Sequence, residues 1–221
     1  MKRLKNILSL LLLGVAVSMT MTSCLNDDND NKELTEEQKQ NYATMMMGNY
    51  NGKIYYFDKN IDKEKNKNQL DSITGINVRF SYPERSFVIY DFPAKLLFKQ
   101  LSGHEDMKAA AEEQEVDIKV KYEPYAYENK IIYYYLSEIQ PVSLSLNYGE
   151  ATHDLKVYFL INTYGAWKDN IVNINIYEYG ISESTDSNGN PVWLDGKTIY
   201  PTDNDETKLK DAYFFFSNET K

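Results

Sequence analysis

Along most of this chain apolar residues return at every second position, and the places where that rhythm fails mark its helices and loops. Ile76, Val78, Phe80 and Tyr82 alternate with Asn77, Arg79 and Ser81, and Val116, Ile118, Val120 and Tyr122 alternate with Asp117, Lys119 and Lys121. Val142, Leu144, Leu146 and Tyr148 do the same against Ser143, Ser145 and Asn147, while Leu155, Val157, Phe159 and Ile161 line one face of the next run. Successive side chains of a strand point to opposite faces, so each run predicts a strand with one buried and one wet side. Shorter runs at 51–57, 87–92, 130–136, 171–179 and 212–217 extend the set, with turn signals at Pro83-Glu84 and Glu128-Asn129. The residues around Gly165, Trp167 and Asp169 read as a loop, and 192–195 with 197–200 as a small hairpin. Many short strands joined by turns predict an antiparallel β-sandwich or a lipocalin-like barrel.

Period 3.6 replaces period two in three places. Thr35 with Gln38 three residues later is a capping-box pattern, and it predicts a helix that runs to Met47 and stops at Gly48. Tyr42, Met45 and Met46 would form its apolar stripe, docked as a plug on one end of the sheet. Residues 93–101 and 105–114 predict a short helical insertion covering the sheet's end or edge. Asp203 to Lys210 reads as loop or short helix.

The amino terminus belongs to none of these elements. Lys2, Arg3 and Lys5 precede an apolar stretch from Ile7 to Val17, and Met21-Thr22-Ser23 leads directly into Cys24, the sole cysteine. That stretch is well short of the ~20 residues that span a bilayer, which points to a cleaved signal. Met21 to Cys24 resembles the lipobox of bacterial lipoproteins, with Met21 where leucine is usual. The resemblance implies cleavage after residue 23 and a lipid on Cys24, each buried methylene of which adds ~0.8 kcal/mol of membrane affinity. Leu25 to Asn31 is an acidic tract without apolar periodicity, and it is similar to the export signal of surface lipoproteins of the Bacteroidetes. The chain as a whole resembles uncharacterised lipoproteins of that group, which carry no catalytic motif to transfer. The organisation expected is therefore a signal at 1–23, a flexible tether at 24–34 and a single mainly-β domain at 35–221. Its expected place is the cell envelope, on the outer membrane and facing outward.

Charge narrows the partners. Removing three basic residues with the signal leaves 21 against 33 acidic ones, a net of −12 for the mature chain. Nucleic acid is an improbable fit, because phosphate binding needs clustered Lys and Arg. The membrane is met through the lipid anchor alone. Tyr dominates the aromatics, with 19 against nine Phe and two Trp, which suits strands with amphipathic surfaces.

Candidate chemistry is sparse. His104-Glu105 lacks the second histidine of a zinc-protease helix, His153 stands beside no nucleophile motif, and no Gly-x-Ser-x-Gly occurs. Asp58-x-Asn60-x-Asp62 and Asp186-x-Asn188-x-Asn190 imitate the first three EF-hand ligands. Lys63 and Pro191 then occupy the glycine position, and Gln69 and Lys197 that of the bidentate glutamate. No catalytic residue, cofactor or metal is expected. Three classes of function remain: a binding module for glycan, a lipocalin-like carrier of a small lipophilic ligand, and a carboxylate-pair glycosidase. For the first, Trp167 and Trp193 are the residues to test, since each is flanked by charged or turn residues and could offer a ring face to a sugar.

Overall fold

The computed structural model describes residues 33–62, 64, 66, 68–201, 209–210 and 212–219. The signal, Cys24 and the acidic tract lie outside the described residues, as do 203–208 of the segment expected to be loop or short helix. Residues Leu34–Lys221 make one compact unit. Its elements are α1 (Glu36–Met46), β1 (Gly48–Phe57), β2 (Leu70–Ser81), β3 (Ser86–Pro93), α2 (Lys95–Phe98), α3 (Glu105–Ala111), β4 (Glu115–Glu128) and β5 (Ile131–Ile139). Then follow β6 (Val142–Tyr148), β7 (Ala151–Phe159), β8 (Tyr164–Lys168), β9 (Ile171–Thr185), β10 (Pro191–Trp193), a 3-10 turn (Leu194–Gly196) and β11 (Tyr213–Ser217).

Eight antiparallel strands close into a barrel in the order β1-β2-β3-β4-β5-β8-β9-β11. Closure is made by β11, whose Phe216 faces Ile174 of β9 on one side and Ile54 of β1 on the other. Between β5 and β8 the chain detours through the β6–β7 hairpin. That hairpin is carried by β9, which runs past the barrel rim, so that Ser182 pairs with Lys156 of β7 and with Trp193 of β10. Barrel and four-stranded side sheet (β6-β7-β9-β10) thus share one long strand.

The alternating apolar residues turn inward, and aromatic rings fill the interior. Phe80 stacks on Phe87 with centroids 4.7 Å apart and meets Tyr122, Tyr50 and Tyr134 edge-on at 5.2, 5.6 and 5.9 Å. Offset and T-shaped pairs of this kind add about 0.5–1.5 kcal/mol each beyond area burial. The ring of Tyr134 occupies the place where Gly165 would carry a Cβ, so β8 can pass only with glycine there. Residues 164–168 are thus a barrel strand and not the loop that the sequence predicts. On that strand Trp167 points inward and is only 8% exposed. Its indole Nε1 donates to Tyr50 Oη at 2.9 Å, and that hydroxyl donates to the Met46 carbonyl at 2.7 Å.

The same chain of bonds seats α1. Its capping box is formed in both directions, with Gln38 N donating to Thr35 Oγ1 at 3.2 Å and Thr35 N donating to Gln38 Oε1 at 2.8 Å. The helix buries Ala43 and Met46, stacks Tyr42 on Tyr127 and ties Glu36 to Arg85, which also reaches Glu123. It therefore plugs the barrel end at the β2–β3 and β4–β5 turns. Met45, expected on the buried stripe, is 48% exposed, and Ala43 takes its place. The first insertion helix is also shorter than predicted, at four residues.

Candidate functional site

Neighbouring barrel strands are antiparallel, so their connections alternate between the two ends. The end opposite α1 gathers the 58–69 loop, α2, α3 and the side sheet. There a groove of about 660 Å³ runs between the α2–α3 connection (Gln100, Leu101, Ser102), Tyr179 and Ile181 of β9, and residues 193–201. The hairpin expected at 192–200 does not form. Instead Trp193 pairs with Ser182, the chain leaves the sheet edge, and it returns where Ile199 N and Tyr200 N both donate to the Tyr179 carbonyl, at 2.9 and 3.1 Å. Residues 194–198 form the raised lip of the groove. Asp195 and Gly196 make the reversal with positive φ values of 57° and 69°.

Across the mouth, His104 Nε2 stands 3.0 Å from both carboxylate oxygens of Asp195 and fastens the lip to the start of α3. Beneath the lip the aromatics form a ladder. The Trp193 ring meets Tyr158 and Tyr179 edge-on, each at 5.4 Å, and Tyr200 follows Tyr179 at 6.4 Å and Tyr177 at 5.9 Å. Trp193 is half-buried, packed against Gly180, Tyr158 and Tyr179. Burial pushes the Tyr177 hydroxyl up to about 12, and Tyr200 beside it adds to the effect, so Tyr177 stays neutral under ordinary conditions. Asp195, Lys197, Gln100 and Ser102 supply polar groups around these rings, while Thr198 Oγ1 already donates to the Tyr200 carbonyl. Apolar ring faces bordered by a few hydrogen-bonding groups are what a polyhydroxylated ring needs, because its C–H face stacks while its hydroxyls bond at the edge.

Of the two tryptophans, the structure brings Trp193 to this groove and places Trp167 in the barrel interior. Trp167 therefore offers no ring face to a ligand. Its charged neighbours are Lys168, the exposed last residue of β8, and Asp169 of the β8–β9 turn, whereas its own side chain follows the strand's alternation inward. Tyr158, Tyr179, Tyr200 and Asp195 join Trp193 without having been singled out from the sequence. The available signal was Tyr177 and Tyr179, which alternate with Ile174 and Ile176 and so stand on the wet side of β9.

Other candidates resolve into local structure. Asp58 Oδ1 accepts from Asn60 N, its other oxygen pairs with Lys99 at 2.7 Å, and Asp186 Oδ1 accepts from the backbone of Asn188 and Asn190. These calcium-like runs use their oxygens to close turns. Among the described residues no group of three or more His, Cys, Asp and Glu is arranged to hold a metal. His153 stacks on Tyr148 at 3.8 Å and sits 3.2 Å from Glu183, at the far end of the side sheet. A second groove of about 400 Å³ on that sheet includes Asp154 and Glu183. Glu183 is paired with His153, the residue adjacent to Asp154, so the two carboxylates are directed to opposite faces and do not oppose each other across a cleft.

A family model described as a domain of unknown function (DUF4840) matches residues 45–183, from the end of α1 into the side-sheet part of β9. The lip of the groove lies beyond the matched stretch. No curated protein and no solved structure matches the chain.

Proposed function

The chain belongs to the DUF4840 family, a domain of unknown function, and on that premise we propose that it is a non-catalytic binding module of the cell envelope whose Trp193 groove takes a carbohydrate. The observation that carries the proposal is Trp193 itself: a half-buried indole in T-shaped contact with Tyr158 and Tyr179, in a groove also lined by Gln100, Ser102, Asp195 and Lys197. Rigid support matters, because an aromatic already fixed in place loses little conformational entropy on binding. Anchoring through a lipid on Cys24, with residues 25–34 as a tether, rests on the sequence resemblance and would hold the groove at the outer face of the membrane. A carrier role would use the barrel interior, but the rings of Phe80, Phe87, Tyr122 and Tyr134 pack there at centroid spacings of 4.7–6.1 Å, which favours the groove. A glycosidase needs a facing carboxylate pair, and Asp195 is the one carboxylate among the described lining residues of the main groove. A glycan array probed with the unit Leu34–Lys221 tests the reading: reproducible retention of a set of glycans sharing one sugar is the expected result. An array without any bound glycan would overturn it.

A further inference from the structure

Trp193 belongs to a second surface as well as to its groove. Its ring lies over Gly180, and the cross-strand partner of Gly180 is Tyr158. Residues directly opposite each other in an antiparallel pair share a face, so the indole stands on the face of the side sheet that carries Tyr158. Register then sets a row across all four strands: Ser143 of β6 pairs with Lys156 of β7, Lys156 with Ser182 of β9, and Ser182 with Trp193 of β10. Three strand spacings, roughly 14 Å, separate the ends of that row. The reverse face is apolar, with Val142, Leu144, Leu155, Val157 and Ile181 all in the core. On the polar face lies the groove of about 400 Å³, bordered by Ser143, Asp154, Lys156, Tyr158 and Ser184. Tyr158 at its border is the ring that Trp193 meets at 5.4 Å, so the two grooves adjoin at this aromatic pair.

The polar groups of the second groove differ in availability. Asp154 accepts from Ser145, while Glu183 accepts from Tyr148 Oη at 3.0 Å and stands 3.2 Å from His153 Nδ1. The Lys156 ammonium is exposed and has no hydrogen bond or ion pair among the described residues, and the same holds for the hydroxyls of Ser143 and Ser184. Free donors beyond an aromatic pair are what the hydroxyls of a further sugar need. We propose that this face is a second subsite continuous with the Trp193 groove, so that the ligand is a linear oligosaccharide of several units and not a single sugar. The inference rests on the reading of the Trp193 groove as a carbohydrate site. A chain with one ring at Trp193 passes over Tyr158 and Ser182 and reaches Lys156 and Ser143. The row is longer than one sugar ring, so a monosaccharide leaves its far end empty. Asp154 and Glu183 border the same groove on a chain of net charge −9, which disfavours a polyanion, so the oligosaccharide is a neutral one.

The test is an array printed with neutral gluco-, manno-, galacto- and N-acetylglucosamine oligomers, each from one to about eight units long, probed with the unit Leu34–Lys221 and followed by Kd measurements on every retained series. Affinity should rise at least about tenfold from the shortest members to chains of about four units, and level off once the row is filled. Lys156→Ala removes a donor at the far end and should shrink that gain about two- to tenfold. Melting of the variant alongside the wild type establishes that it is folded. Equal affinity for the shortest and longest members of a retained series overturns the second subsite and leaves the Trp193 groove standing. So does a folded Lys156→Ala protein that keeps the full gain with length. An array that retains nothing overturns the reading of the Trp193 groove and this inference with it.

Discussion

Trp193 lies across Gly180: a Cβ built on that glycine would stand 2.9 Å from Cε3 of the indole and 3.1 Å from Cζ3. The ring rests on bare backbone at the point where β9 passes from barrel to side sheet, and no larger residue there would leave it in place. Gly180→Ala should therefore lift the indole from β9. In a Trp167→Phe background, where Trp193 is the only tryptophan, the expected outcome is stronger acrylamide quenching with Ala at 180 than with Gly. Identical quenching would show that the contact does not hold the ring.

Buried Glu178 gives a pH dependence of definite sign. Its Oε1 finds no hydrogen-bond partner, and burial pushes its carboxyl well above the ordinary value of 4.5, so the folded chain keeps a proton that the unfolded chain releases. A raised folded pKa means that its stability is fully present below about pH 4.5 and is lost as pH rises toward the folded value. The slope from one such group is at most about 1.4 kcal/mol per pH unit. Glu178→Gln, which needs no proton to be neutral, should match the wild type near pH 4 and melt increasingly above it toward pH 7.5. Parallel curves for the two proteins across that range would refute the account of Glu178.

How much of this was legible in the sequence depends on distance along the chain. Strands whose two faces differ sharply, such as 116–122 and 142–148, could be read directly, and so could the Thr35–Gln38 cap, because each signal is local. Barrel closure was not legible: β11 pairs with β1 and β9, and nothing in Tyr213–Ser217 names those partners. Strand β8 was hidden because Tyr-Gly-Ala-Trp-Lys lacks large apolar alternation, Gly165 being required by the ring of Tyr134 on the neighbouring strand. For the groove, Trp193 was visible as a tryptophan among turn residues. Tyr179 stood out only as a wet-side position of β9, and Tyr200 not at all, since what joins the two is a pair of backbone bonds across the edge of β9.

Faces of β7 can be checked by a pair of substitutions. Phe159 belongs to the buried core, whereas Lys156 is exposed on the other side. Phe159→Ala should cost about 3–5 kcal/mol, by lost transfer energy and a residual cavity. Lys156→Ala should change stability by no more than about 0.5 kcal/mol. Urea denaturation midpoints measure both, and equal midpoints would mean that the faces are wrongly assigned.

The two tryptophans should separate in the same kind of experiment. Trp167→Ala removes a core ring and orphans the Tyr50 hydroxyl as an acceptor, so a loss of about 3–5 kcal/mol is expected. Trp193→Ala removes a half-buried ring from the surface and should cost no more than about 2 kcal/mol. Thermal melts that rank them the other way would place Trp193 in the core and Trp167 outside it.

Whether the Trp193 groove takes carbohydrate is decided by a titration of wild type and Trp193→Ala with whichever glycan the array retains, with the melting temperature of both proteins recorded in parallel. Removing a stacked aromatic should cost about 1–3 kcal/mol of binding, or roughly 5- to 150-fold in affinity, while the variant remains folded at the temperature of the titration. A folded Trp193→Ala protein that binds the same glycan as tightly as the wild type would contradict the account.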